Sequence, residues 1–254
     1  MSWFTNLYAS SIGKKLVMAI TGLIIFGFAV GHMSGNLLIF LGPDVFNGYA
    51  AALQGNPPLL WGTRLVLLAS FPLHIFSAIQ LKRLNAAARP SDYGEWKPQA
   101  STRSSRTMIW GGMVLLGFIV YHILHFTLRV TQPGLEELTY TLNGEQVHNA
   151  HQMVLLGFAP TAMGVFHVVL YVSAMVALCL HIYHGVWSAM QSLGLNHPKY
   201  NVLRKQVAAA FAFILLIGFS AGPLLTIAGV TKAAGDAFTK QSTQQVDTDA
   251  TVRR

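Results

Sequence analysis

Histidines inside apolar stretches are the residues of this chain whose type and spacing could do chemistry. An ionisable ring in such a stretch is costly unless it has a partner, so it marks a functional site by default. Imidazole also binds metals and transfers protons. The histidines lie in four separate apolar runs: His32, His74, His122, His125, His167, His181 and His184. The pattern predicts helices that surround something requiring imidazole at two depths.

The composition is that of an integral membrane protein. Of the 254 residues, 53% are hydrophobic and 10% are charged, whereas soluble domains carry about 25% charged residues. The net charge of +8 does not indicate nucleic acid, because the basic residues cluster in short loops where membrane topology explains them. The single cysteine, Cys179, excludes a disulfide framework, a thiolate iron–sulfur site and covalent haem attachment.

Five apolar segments are each close to or above the roughly 20 residues that span a bilayer. Lys14 and Lys15 precede the first segment, which is too long for a signal peptide and has no small-residue cleavage site after it. We therefore expect one all-α transmembrane domain over residues 1–230 and a polar, flexible tail over 231–254. The predicted helices are 16–41, 59–81, 108–130, 161–190 and 207–230.

The basic residues predict the orientation of these helices. With the N-terminus in the cytoplasm, 11 of the 17 Lys and Arg residues lie on the cytoplasmic side, as the positive-inside rule requires. Four acidic residues then lie outside: Asp44, Glu136, Glu137 and Glu145.

Helical rise then gives the depth of four histidines. At ~1.5 Å per residue, His32 and His122 lie about 25 Å above the inner edge of the membrane. His74 and His181 lie about 12–15 Å above that edge. Two imidazoles on different helices at each of two levels fit bis-histidine ligation of two haems b, which favours electron transfer.

The residue pattern by itself also allows other roles for these histidines and glycines. Each histidine could instead hydrogen-bond a neighbouring helix, which would make the chain a haem-free transporter or anchor. Spacing does not separate His122 from His125, nor His181 from His184, because residues three apart share a helix face. His167 could be another ligand or line a ligand pocket. The glycines at 27, 31 and 35 allow close approach of either a porphyrin or a second helix.

Five motifs, in order along residues 11–229, resemble the cytochrome b membrane-anchor subunit of succinate dehydrogenase and fumarate reductase, of the five-helix dihaem b558 type. They are SIGKKLVMAITGL, VGHMSGNLLIF, PLHIFSA, VYHILHFT and LCLHIYHGVWSAMQSLG, beginning at Ser11, Val30, Pro72, Val120 and Leu178. A hydrogenase or ferric reductase cytochrome b would fit the four histidines but not these motifs.

The resemblance implies the ligands. His32 and His122 would hold a distal haem near the outer face, and His74 and His181 a proximal haem near the cytoplasm. His125 and His184 would then lie beside the ligands without binding iron.

The resemblance also implies the partners and the reaction. A flavoprotein subunit and an iron–sulfur subunit would dock on the cytoplasmic loop Lys82–Arg106 of a multi-pass protein in a bacterial inner membrane. Electrons from succinate would pass through the proximal and then the distal haem to quinone, with menaquinone expected. Groups placed to line the quinone site are Gln54, Asn47, Tyr49 and His167.

One departure from the family bears on direction. Some menaquinol-oxidising relatives carry a glutamate two residues before the fourth ligand, where this chain has Cys179, and no Asp or Glu lies in any predicted span. This favours succinate oxidation or electrogenic menaquinone reduction. A quinol:fumarate reductase running in reverse is the alternative within the same family, and the sequence leaves the oligomeric state open.

Overall fold

The computed structural model describes residues 8–88 and 103–231 and is mostly helical. The long helices are α1 (Ser11–Leu37), α3 (Pro57–Ala87), α4 (Arg103–His122), α6 (Ala162–Ser192) and α7 (Asn201–Ile227). Two short helices are α2 (Pro43–Gln54) and α5 (Ala150–Gly157), and one hairpin joins strands β1 (Thr139–Leu142) and β2 (Glu145–His148).

Five helical segments are long and apolar enough to cross a membrane, which confirms the predicted number. Their bounds are Ser11–Leu41, Pro57–Ala87, Ser105–Thr127, Ala162–Ser192 and Pro198–Ile227. Large apolar side chains stand on their outer surfaces, for example Leu68, Trp110 and Ile217, each exposed by more than 65%. Apolar surface of this kind needs lipid rather than water around it.

Two of these segments end in a change of helix type. The first tightens into a 3₁₀ turn over Leu38–Leu41 and stops at Gly42, whose positive φ of 94° favours glycine. The third widens into a π-helical turn over Ile123–Thr127, directly after His122. Such turns are rare and are found frequently at functional sites. Helix α3 runs unbroken through Pro72.

The loops contain ordered structure that was not predicted. Strands β1 and β2 pair antiparallel with Tyr140 opposite Val147. Asn143 and Gly144 at the turn both have positive φ, as a two-residue type I′ hairpin requires. Helix α2 packs against α5 and against both strands. The predicted tail after residue 231 lies outside the described residues, as does the loop segment 89–102.

The residues group into two compact units, and the division falls within the five long helices. Among the described residues, unit 1 comprises 8–30, 61–88, 103–112 and 178–214. Unit 2 comprises 31–60, 113–177 and 215–231. His74 and His181 belong to unit 1, whereas His32 and His122 belong to unit 2.

Candidate functional site: two histidine pairs

In unit 1, α3 and α6 bring His74 and His181 together. Their ring centres are 6.3 Å apart, with the planes inclined by 54°. The Nδ1–H of His74 donates to the Met18 carbonyl oxygen at 3.0 Å, which leaves the Nε2 lone pair of His74 available to a metal. Gly22 allows this contact, because a Cβ there would lie 3.1 Å from the Cε1 atom of His74.

In unit 2, α1 and the end of α4 bring His32 and His122 together. Their ring centres are 5.8 Å apart and nearly perpendicular, at 76°. Phe118, one turn before His122, stacks on its ring at 5.9 Å, and Phe219 lies 5.9 Å from the ring of His32. These aromatic neighbours flank the two imidazoles. Both histidines remain partly exposed, and Nδ2 of Asn36 lies 3.4 Å from Nε2 of His32.

The spacing of both pairs fits one metal ion between two imidazoles. A bond from imidazole nitrogen to a first-row metal is about 2.0–2.1 Å, so two rings aimed at one ion have centres roughly 6 Å apart. Within residues 8–88 and 103–231, no group of three or more His, Cys, Asp and Glu could hold a metal. Each pair has the spacing to supply two imidazole nitrogens to one metal ion.

Gly27, Gly31 and Gly35 of α1 differ in what lies beside them. Gly35 lies against the ring of Tyr49, so its small size accommodates a side chain of α2. A Cβ built on Gly27 or Gly31 would meet no described atom within 4 Å. No second helix is therefore in close contact with these two positions, and the space beside them is open.

The structure separates His122 from His125, which spacing alone does not. His125 lies in the π-helical turn and is fully buried, whereas His122 faces His32. The ring of His125 is stacked on Phe126 at 4.0 Å and lies 4.2 Å from the ring of His167. His125 thus belongs to an aromatic cluster beside the pair rather than to the pair itself.

His184 also lies beside its pair. Its ring contacts Trp187 edge-on at 6.2 Å. The Nδ1 atoms of His181 and His184 are both buried without a hydrogen-bond partner among the described atoms.

The four residues proposed for quinone differ in what they can offer. Asn47 is fully buried; its Nδ2 donates to Asn149 Oδ1 at 3.2 Å, and its Oδ1 accepts from the backbone N–H of His151 at 2.9 Å. Tyr49 and Gln54 are exposed.

His167 is fully buried and uses both ring nitrogens within the protein. Its Nδ1–H donates to the Gly157 carbonyl oxygen at 2.7 Å. Its Nε2 must therefore accept, and Tyr121 O–H donates to it at 2.7 Å. Asn47 and His167 are thus engaged in internal contacts, which leaves Tyr49 and Gln54 as the accessible members of the set.

Two tyrosines that the sequence did not single out complete the histidine cluster of unit 2. They are Tyr121, the residue directly before His122, and Tyr171 on α6. Tyr171 lies 49 residues after His122 in sequence, so no local signal could have joined them.

Comparison with models of known protein families, with curated proteins and with solved structures finds no match to this chain.

Proposed function

We propose that this chain is the dihaem cytochrome b membrane-anchor subunit of a succinate:quinone oxidoreductase. The observation that carries the proposal is the pairing of histidines across helices, His74 with His181 and His32 with His122, at separations that suit axial ligation. The motifs described above add the family. The five apolar helices are those that such a subunit needs to cross the bacterial inner membrane.

In this proposal, each pair supplies two neutral imidazole nitrogens to one haem b. Bound there, the two haems would carry single electrons between the iron–sulfur partner and quinone. The Met18 carbonyl orients His74 and holds its proton on Nδ1. Phe118 and Phe219 pack against the rings of the other pair and restrict their orientation. These residues hold the ligands in place, so that little reorganisation accompanies electron transfer.

The N-terminus is placed in the cytoplasm, so that the flavoprotein and iron–sulfur subunits dock on the Lys82–Arg106 side. Lys82 and Arg83 are exposed at the end of α3, and residues 89–102 lie outside the described part of the chain. Quinone, expected to be menaquinone, would bind near the His32–His122 pair, with Tyr49 and Gln54 as accessible polar groups.

The test is purification of the tagged chain from its native membrane with its partners. We expect a reduced-minus-oxidised spectrum of haem b, two haems per chain, and two further subunits that carry flavin and iron–sulfur clusters. A preparation without haem would leave the transporter or haem-free anchor as the better assignment. A haem-containing preparation without the two partner subunits would contradict the specific assignment to succinate oxidation while preserving the cytochrome. Comparing succinate oxidation with fumarate reduction by the complex would then distinguish the two directions.

A further inference from the structure

The hydroxyl of Tyr171 lies between two histidines of unit 2. Its oxygen is 3.2 Å from Nδ1 of His122 and 3.0 Å from Nδ1 of His125. Tyr171 is 7% exposed and His125 is fully buried, so water cannot easily replace either contact. Phe118 and Phe158 pack edge-on against the tyrosine ring at 4.9 and 5.0 Å and fix its position.

One hydroxyl cannot donate to both nitrogens. When the Tyr171 O–H donates to one of the two rings, the three groups have two consistent arrangements. In the first, His122 Nδ1–H donates to the tyrosine oxygen and Tyr171 O–H donates to His125 Nδ1. In the second, both hydrogen bonds reverse and His122 carries its proton on Nε2. A metal bound at His122 Nε2 is compatible only with the first arrangement, because the nitrogen that binds a metal must be unprotonated.

The first arrangement has a second consequence, at His125. With Nδ1 of His125 accepting, the proton of that ring is on Nε2. This atom is buried and has no hydrogen-bond partner among the described atoms. His125 therefore accepts at the end of the hydrogen-bond chain that runs from His122 through Tyr171. Gly157 lies close behind it, since a Cβ built on Gly157 would be 3.3 Å from Nε2 of His125.

We propose that Tyr171 is a positioning residue that holds His122 in its Nε2-ligating tautomer and, by accepting the Nδ1 proton, lowers the reduction potential of the haem at the His32–His122 pair. This inference rests on the proposed function. When the tyrosine oxygen accepts a hydrogen bond from Nδ1–H, the imidazole becomes a more basic ligand to the metal. A more basic ligand favours the more highly charged ferric state. His125 strengthens the effect, since a hydroxyl that donates is a better acceptor.

The chain offers a matched control in Tyr121. Its hydroxyl also donates to a buried histidine, His167, at 2.7 Å. His167 donates its single ring proton, on Nδ1, to the Gly157 carbonyl oxygen and belongs to neither pair. Tyr121→Phe therefore removes a comparable hydrogen bond without touching a proposed ligand.

The experiment is a redox titration of the purified complex, followed by haem absorbance, for the wild type and three variants: Tyr171→Phe, Tyr121→Phe and His125→Phe. In Tyr171→Phe we expect both haems to remain. At a fixed potential, the oxidised-to-reduced ratio of one haem should be about tenfold lower than in the wild type, which corresponds to a rise of about 59 mV in the midpoint potential of that haem. The other haem should be unchanged. His125→Phe should shift the same haem in the same direction by less, and Tyr121→Phe should shift neither haem.

The outcomes separate this inference from the function on which it rests. If the wild type contains two haems and the Tyr171→Phe titration matches it, or if Tyr121→Phe shifts the same haem equally, the role of Tyr171 is wrong and the function stands. If Tyr171→Phe does not assemble, an unshifted titration of His125→Phe refutes the hydrogen-bond chain. If the wild type contains no haem, the function fails and this inference fails with it.

Discussion

The paired histidines differ in the contact that their Nδ1 atom makes. His74 donates to a backbone carbonyl and His122 contacts the Tyr171 hydroxyl. The Nδ1 of His181 has no partner among the described atoms. A buried imidazole without such a contact can turn or change tautomer, so the ring of His181 is held less firmly than the rings of His74 and His122.

The first prediction separates His122 from its neighbour His125. His122→Leu should remove one of two haems, because only the His122 ring lies 5.8 Å from that of His32. His125→Leu should retain both haems, since the His125 ring is stacked against Phe126 and His167. The measurement is haem content per purified chain, with the spectrum identifying which haem remains. Loss of haem in His125→Leu but not in His122→Leu would reverse the assignment of the ligand.

At the scale of elements, the buried amide of Asn47 hydrogen-bonds α2 to α5, beside the apolar contacts of Phe46 with α5. Asn47 bonds the side chain of Asn149 and the backbone of His151, and Asn149 also caps α5 by accepting from the N–H of Gln152. Asn47 thus hydrogen-bonds both to the first turn of α5 and to the residue that caps it.

Asn47→Leu should therefore destabilise the loop structure of unit 2. The substitution keeps a branched side chain but removes the acceptor of the His151 N–H and the donor to Asn149, at a cost of about 1–3 kcal/mol. We expect a lower midpoint of thermal unfolding in detergent and faster proteolysis between residues 128 and 161. The matched control is Gln54→Leu on the same helix, whose side chain is exposed and whose loss should change neither measurement. Equal effects of the two substitutions would show that Asn47 is not the connection.

The hairpin carries a pH dependence through His148. Burial, and then the Arg129 cation, lower the pKa of His148, and a hydrogen bond to the Leu138 carbonyl only partly opposes this. In the unfolded hairpin His148 binds a proton below about pH 6.5, whereas the folded hairpin resists it, so stability is full above that pH and falls as the pH decreases through it.

Deuterium exchange of the β1 and β2 amides measures this dependence. Corrected for intrinsic exchange rates, protection should fall between about pH 7.5 and about pH 5.5 in the wild type, and fall less in His148→Gln. Protection that decreases equally in both proteins would assign the effect to another group.

The five long helices were predictable because runs of about 20 apolar residues dominate their local sequence. Helical rise is regular, and it predicts the same pairing of His74 with His181 and of His32 with His122 that the ring distances show within each unit. Some missed elements had local signals: Pro43 and Asp44 mark a helix start, and Asn143-Gly144 marks a hairpin. No local signal indicated that Asn47 and His151 would be buried, because the hydrogen-bond partners of Asn47 lie more than 100 residues away in sequence.

At the scale of the whole molecule, the fold is consistent with five alternating crossings. The segment between the first two spans contains α2, and the segment between the third and fourth contains the hairpin and α5. These elements contact one another, as two loops on the same side of a membrane can. Asp44 accepts a hydrogen bond from the Tyr140 hydroxyl between the two loops. The positive-inside rule predicts that these two loops face away from the cytoplasm.

Orientation can be tested with introduced cysteines, because the chain has only Cys179 to replace. In a Cys179→Ser background, Glu145→Cys lies in β2 and Lys199→Cys in the turn before α7, and both positions are exposed. Basic residues favour the cytoplasmic side, so an impermeant maleimide should label Glu145→Cys in intact spheroplasts and Lys199→Cys only after lysis. The Cys179→Ser protein without further substitution should remain unlabelled. Labelling in the opposite order would invert the topology and would place the His74–His181 pair, rather than His32–His122, near the outer face.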